Sequence, residues 1–275
     1  MAVRGKRVTF DAFPDSVFRY LDYDAVVCVD IIRATTTLVT AVAQGRRTYP
    51  VASAGEALEF ALHLGQPLLA GEMNGERPAG FEMQNSPAAI ARRNDIGRPL
   101  VLLSSIGTEL IVNAGACRNA YVVSLRNLTA TAEFIFRRHD SVAVLAACSR
   151  GQLRCEDEMG SAWLIERLIE SGFEAEDPRT SDLVKRWSGA DPALMRWSSS
   201  AEYLKRSGQL DDLEFVVKHV DDLDIVCKYS DGEVKRVREV SPTVWTDDFL
   251  AIRPARPATS LPEDVFGIFQ ATVKA

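Results

Sequence analysis

The stretch Val26-Val27-Cys28-Val29-Asp30-Ile31-Ile32-Arg33-Ala34-Thr35-Thr36-Thr37 decides how this chain is read. An apolar run of strand length ends on a carboxylate and an arginine, and a hydroxyl-rich helix start follows at once. In open α/β sheets, ligands collect where strands stop and helix N-termini point free N–H groups outward. Asp30, Arg33, Thr35 and Thr36 therefore stand where an anion is held. A plain strand-turn-helix with a threonine N-cap produces the same local pattern, so the neighbouring segments must decide between the two.

Working outward, short apolar runs alternate with amphipathic stretches from about residue 24 to residue 170. The spacing predicts strands at 24–30, 47–51, 67–71, 99–103, 119–124 and 141–147. Helices are predicted at 34–44, 54–64, from Ser86 onward, 127–138 and 157–171, the last closed by Gly172. This is the signature of an α/β fold, a mostly parallel sheet with helices on both faces. Beyond 176 the periodicity weakens. Polar helical segments at 180–188 and 191–206 precede a hairpin signal, Ser230-Asp231-Gly232, flanked by Asp224–Tyr229 and Val234–Val237. The expected organisation is an α/β core over 1–175 that carries the site, a helical and hairpin subdomain or lid over 176–240, and a proline-bearing tail over 241–275 that wraps the surface.

Bulk composition narrows the function. With 275 residues, 47% hydrophobic and 25% charged, the chain has the make-up of a globular protein with a real core. Its 32 basic and 38 acidic residues give a net charge of −6, which argues against a nucleic-acid footprint and against a polybasic membrane patch. No basic-then-apolar leader opens the sequence, and no apolar run approaches the roughly 20 residues that cross a bilayer, so a cytoplasmic location is expected. Five scattered cysteines without a CxxC pair support neither a disulfide framework nor a zinc site. None of His63, His139 or His219 lies at a predicted strand end, and Cys148-Ser149-Arg150 lacks the spacing of a cysteine-phosphatase loop. Phosphohistidine and thiol chemistry are both disfavoured.

Three more strand ends carry polar residues of the same kind. After 67–71 comes a long connection, Gly71-Glu72-Met73-Asn74-Gly75 and then Gly80-Phe81-Glu82-Met83-Gln84-Asn85-Ser86-Pro87, in a class of fold whose loops are usually short. Glycines there let backbone approach a ligand, and Asn85 and Ser86 stand at a helix entrance. After 99–103, Ser104-Ser105-Ile106-Gly107-Thr108 offers hydroxyls and unpaired N–H groups in the manner of a phosphate cradle, though without the Walker A lysine. After 141–147, Cys148-Ser149-Arg150-Gly151 brings a second arginine, and Cys155-Glu156-Asp157-Glu158 opens a helix with three carboxylates. Acidic residues in a first helical turn also simply complement the dipole.

Together these ends suit phosphoryl chemistry. Asp30, Glu72 and Asp157 supply hard oxygen ligands for Mg²⁺, and Arg33 and Arg150 hold an anionic group beside them. Thr35, Thr36, Asn74, Asn85, Ser86, Ser104, Ser105, Gly107 and Thr108 supply hydrogen-bond donors and close backbone approach. Asp30 is the first candidate for a carboxylate nucleophile, but it lacks the Asp-x-Asp-x-Thr context of haloacid-dehalogenase-like phosphatases, so an activated water is an equal alternative.

The set DIIRATTT, GEMNG, GFEMQNSP, SSIGT and CEDEMG, in this order, resembles the 2-phosphosulfolactate phosphatase family over roughly residues 24–230. The resemblance implies an α/β/α protein, dependent on Mg²⁺, that hydrolyses the phosphate monoester of a sulfonated hydroxy acid on the route to coenzyme M. Its partner would be a small phosphorylated anion; a homodimer is a base-rate expectation for an enzyme of this size. The family pattern at the fourth strand end is close to Thr-Thr-Asn-Gly-Thr, and Ile106 replaces the amide here. Alternatives are a diverged member catalysing elimination or group transfer on a phosphorylated or sulfonated acid, and a non-catalytic anion-binding protein.

Overall fold

A computed structural model of the chain describes residues 5–148 and 151–237. Ser149, Arg150 and the predicted tail over 241–275 lie outside the described residues.

The first element among the described residues is a strand that the sequence alternation does not signal, β1 (Arg7–Ala12), followed by a 3₁₀ turn over Pro14–Arg19. The predicted alternation then follows as β2 (Ala25–Val29), α1 (Ala34–Ala43), β3 (Thr48–Val51), α2 (Ala54–His63) and β4 (Leu68–Gly71). After the long connection come α3 (Pro87–Ala91), β5 (Leu100–Leu103), α4 (Gly107–Ala114), β6 (Ala120–Val123), α5 (Leu128–Arg138) and β7 (Ser141–Ala146). Next is α6 (Cys155–Glu170), which begins two residues before the predicted start, followed by the short β8 (Glu174–Ala175) and α7 (Pro178–Trp187). The remainder holds α8 (Ser199–Arg206), α9 (Leu210–Lys218), β9 (Cys227–Ser230) and β10 (Glu233–Arg236).

All ten strands form one sheet in the order β4-β5-β3-β10-β9-β6-β2-β7-β1-β8. The pairings of β6, β2, β7, β1 and β8 are parallel, as are those of β3, β5 and β4. The hairpin β9–β10 lies between these two blocks, antiparallel to β6 on one side and to β3 on the other. Counted through the hairpin, the two parallel blocks run in opposite senses. Five strand-to-strand steps separate β2 from β5, yet the sheet curls so that their carboxyl ends meet: Gly107, four residues past β5, packs against Asp30, the residue after β2.

The core shows the same curl. Val26 and Cys28 of β2 share one apolar cluster with Leu68 and Ala70 of β4, Leu100 and Leu102 of β5, and Leu38 and Ile111 of α1 and α4. Val27 and Val29 point to the opposite face and pack with Ile135, Met159 and Leu183 of α5, α6 and α7. Burial on both faces explains why these strands read as unbroken apolar runs. Helices α1 and α4 lie inside the curl, and both begin at the place where the two blocks converge.

Candidate functional site

The turn after β2 is built by its threonines. The Asp30 carbonyl accepts from Thr35 N (3.0 Å) and Thr35 Oγ1 (2.8 Å), Thr36 Oγ1 donates to the Ile31 carbonyl (2.7 Å), and Thr37 Oγ1 donates to Asn85 Oδ1 (2.7 Å). These hydroxyls are buried. Thr35 and Thr36, expected as substrate donors, are engaged by the backbone of the Asp30 turn, where they fix the path of the chain. The Asp30 carboxylate accepts from Ala34 N at 3.2 Å, at the start of α1. A Cβ added to Gly107, the first residue of α4, would stand 1.8 Å from Asp30 Oδ2. Asp30 is thus held between the N-termini of two helices, and the glycine of the SSIGT motif makes the approach sterically possible.

The turns after β4 and β5 brace each other. Glu72 accepts from Ser105 N (2.7 Å), Ser105 Oγ (2.8 Å) and Gly75 N (2.7 Å), while Asn74 N donates to Ser105 Oγ (2.7 Å). Asn74 adopts a left-handed backbone, φ 55°, which asparagine tolerates better than most residues. Ser104 and Thr108 are also paired: Thr108 N donates to Ser104 Oγ (3.0 Å) and Ser104 N to Thr108 Oγ1 (2.9 Å). Ile106 is half-buried and packs against the apolar cluster between α1 and the sheet.

The first turn of α6 contrasts with this. Asp157 is 3% exposed, and its Oδ1 accepts from Ile31 N at 2.7 Å, which ties α6 to the DIIR turn. Glu156 is 1% exposed, and its Oε1 has no hydrogen-bond partner. Burial pushes the Asp30 carboxyl up to about 7; the hydrogen bond from Ala34 opposes this, and the charges of Glu72 and Glu156 reinforce it. Asp157 is raised well above the usual carboxylate range by burial and by the charges of Asp30 and Glu156. Glu158 points elsewhere, toward Arg186 (3.2 Å), and burial raises it too.

Arg33 lies 5% exposed, with Nη1 on Asp212 Oδ2 (2.7 Å) and on Gln209 Oε1. Nothing among the described residues hydrogen-bonds its Nε or Nη2. Asp212 Oδ1 accepts from Ser86 Oγ (2.5 Å) and Ala88 N (3.1 Å), so Ser86 caps α3 while it also contacts α9. Asn85 is buried against Thr37. Tyr203 Oη of α8 donates to the Gly75 carbonyl (2.5 Å), and a Cβ at Gly75 would meet that ring oxygen at 2.8 Å.

The structure therefore brings Asp30, Asp157, Glu72, Ser105 and Gly107 to one convergence of strand ends, and it sets Arg33, Asn85 and Ser86 at its border with α9. The second predicted arginine, Arg150, lies outside the described residues. Gln209, Tyr203 and Asp212 are not signalled by the sequence, and Glu156 is signalled only as one of three carboxylates opening α6, a pattern that the helix dipole also explains.

Among the described residues, no three His, Cys, Asp or Glu side chains gather closely enough to hold a metal ion by themselves. Mg²⁺ usually takes one or two carboxylates and completes its shell with water and phosphate oxygens. Asp30 and Asp157 are two such carboxylates, each raised by burial and by the other acidic groups around it, a rise that Arg33 and Arg154 only partly offset. Glu72, the third expected ligand, already accepts three hydrogen bonds. No helix among the described residues is long and apolar enough to cross a membrane.

Residues 13–232 match the family model described as 2-phosphosulpholactate phosphatase. The chain is similar to the 2-phosphosulfolactate phosphatase of Methanothermobacter thermautotrophicus, 34% identical over 215 residues that cover 78% of this chain and 90% of that protein. It is also similar to the probable 2-phosphosulfolactate phosphatases of Symbiobacterium thermophilum (31% over 215 residues, 76% and 92% covered) and Caldicellulosiruptor saccharolyticus (25% over 242 residues, 84% and 100% covered).

Proposed function

Because the chain belongs to the 2-phosphosulfolactate phosphatase family, we propose that it is a Mg²⁺-dependent phosphatase that hydrolyses 2-phosphosulfolactate or a close relative to the hydroxy acid and phosphate. The observation that carries this reading is the crowding of Asp30, Asp157 and Glu156 at the ends of β2 and β7, with two helix N-termini and the open edge of Arg33 beside them. Burial and the neighbouring acidic charges raise Asp30 and Asp157, Arg33 and Arg154 offset this only in part, and a bound cation would relieve it. In this reading Asp30 and Asp157 hold Mg²⁺, whose contribution is to neutralise charge on the phosphoryl oxygens. Arg33 binds an anionic group of the substrate through Nε and Nη2, and Glu72 and Ser105 hold the two cradle turns in register. Asp30 would also orient the attacking water beside the phosphorus. Direct attack by its carboxylate on phosphorus is the alternative for the same residue.

Incubating the purified protein with 2-phosphosulfolactate, phosphoglycolate and related phosphorylated acids, with and without Mg²⁺, tests this by released phosphate. Metal-dependent release from one of them is expected. Binding without release from any would replace the phosphatase by an anion-binding role, and consumption of substrate without free phosphate by elimination or transfer. Packing of Ile106 into the apolar cluster favours hydrolysis over these, because the residue that departs from the family pattern supports α4. A cytoplasmic location and a homodimer belong to the same reading, and fractionation and light scattering test them.

A further inference from the structure

We propose that Asp212 is a positioning residue for Arg33, so that α9 is a working part of the anion site; this rests on the assignment of Arg33 as the substrate's anion clamp. Both side chains are nearly out of solvent, 4% and 3% exposed for Arg33 and Asp212, and they meet at 2.7 Å. A guanidinium is planar and presents its donors along fixed edges. Asp212 Oδ2 and Gln209 Oε1 both hold the same nitrogen, Nη1. That leaves Nε and Nη2 to face away from α9, which is the edge a phosphate, carboxylate or sulfonate engages with two parallel hydrogen bonds.

Asp212 is itself fixed from another direction. Its second oxygen accepts from Ser86 Oγ and Ala88 N at the head of α3. The carboxylate therefore joins three elements: α9, which carries it; α3, which follows the GFEMQNSP segment; and the DIIR turn. It lies in the first turn of α9, where a negative charge complements the helix dipole, but its hydrogen bonds reach across to other elements. Rotation of Arg33 toward solvent would leave a buried carboxylate without its cation, so the pair locks the orientation of the clamp. Substrate then meets a guanidinium that is already oriented.

A double-mutant cycle in the full-length protein tests this. Asp212→Asn is expected to raise KM for the substrate, and the inhibition constant for inorganic phosphate, by about 10- to 100-fold, while kcat changes much less. Arg33→Met gives a larger loss. The double variant Arg33→Met/Asp212→Asn should show the KM of Arg33→Met alone, because Asp212 then has no clamp to orient. Should Asp212→Asn not fold, Gln209→Met removes the other acceptor on Nη1 from a half-exposed position and should raise KM in the same direction by a smaller factor. Equal, additive losses in both backgrounds would overturn the proposal and reduce Asp212 to a support of α3. Full activity in Arg33→Met would overturn the clamp assignment, and the role of Asp212 with it.

Discussion

The two sides of the site are held in opposite ways. On the β4–β5 side, Glu72, Ser104, Ser105 and Thr108 satisfy one another within a few residues of their strand ends. On the β2–α6 side, Asp30 and Asp157 are forced toward their neutral forms by burial and by their neighbours' charges, and Glu156 leaves an oxygen unpartnered. A satisfied hydrogen-bond network rigidifies, whereas an unsatisfied buried one costs stability and is kept where chemistry needs it. The first side is a brace that sets distances, and the second is where the proposed cation and chemistry would sit.

The largest effect that would test this division is the loss of Asp30. Asp30→Asn should lower kcat by about 10²- to 10⁴-fold, with thermal stability unchanged or raised because a repelling charge is gone. Retained turnover would remove Asp30 from the mechanism and dissolve the distinction between the two sides. Gly107→Ala follows in size. The added methyl falls on Asp30 Oδ2, so the carboxylate or the start of α4 must move. A stability loss of about 1–3 kcal/mol by denaturant titration is expected together with a fall in kcat. A variant with wild-type kcat would show that the placement of Asp30 is not critical.

The same division tracks what was legible in the sequence. The DIIRATTT turn could be read because its strand, carboxylate and helix start are adjacent, and the threonines that shape it lie within seven residues of Asp30. The βα alternation was readable for the same reason, since hydrophobic periodicity is a local property. Long-range pairing was not. The hairpin around Asp231-Gly232 was evident as a turn, but nothing local places it between β3 and β6 or shows that the two parallel blocks run in opposite senses. Asp212 is 179 residues from Arg33, in a short helix whose acidic first turn resembles a solvated one. The hydroxyls lie at strand ends, but those of Thr35, Thr36, Ser104 and Thr108 are used in forming the turns.

Glu72→Gln sharpens the comparison from the braced side. The amide keeps one acceptor and turns an NH₂ toward donors that need an oxygen, among Ser105 N, Ser105 Oγ and Gly75 N. A loss of about 1–3 kcal/mol by denaturant titration should accompany a smaller fall in kcat than Asp30→Asn produces. A collapse of kcat with unchanged stability would move Glu72 from the brace to the chemistry.

The smallest effect is a shift of melting temperature with pH, and it reports on the crowded side alone. Asp30 in the fold ionises near 7, against 3.8 for an unperturbed aspartate, and Asp157 is raised in the same direction. Each is harder to ionise folded than unfolded, so the unfolded state binds fewer protons between those values and stability falls as pH rises through the window. The metal-free protein should therefore melt several degrees lower at pH 8 than at pH 5. Mg²⁺ should restore most of that difference, because a cation shared by the carboxylates removes the cost of ionising them together. In Asp30→Asn both the pH slope and the Mg²⁺ response should shrink. A flat profile in the metal-free wild type would mean that Asp30 and Asp157 ionise in the fold as they do in water, and the crowded side would then be no different from the brace.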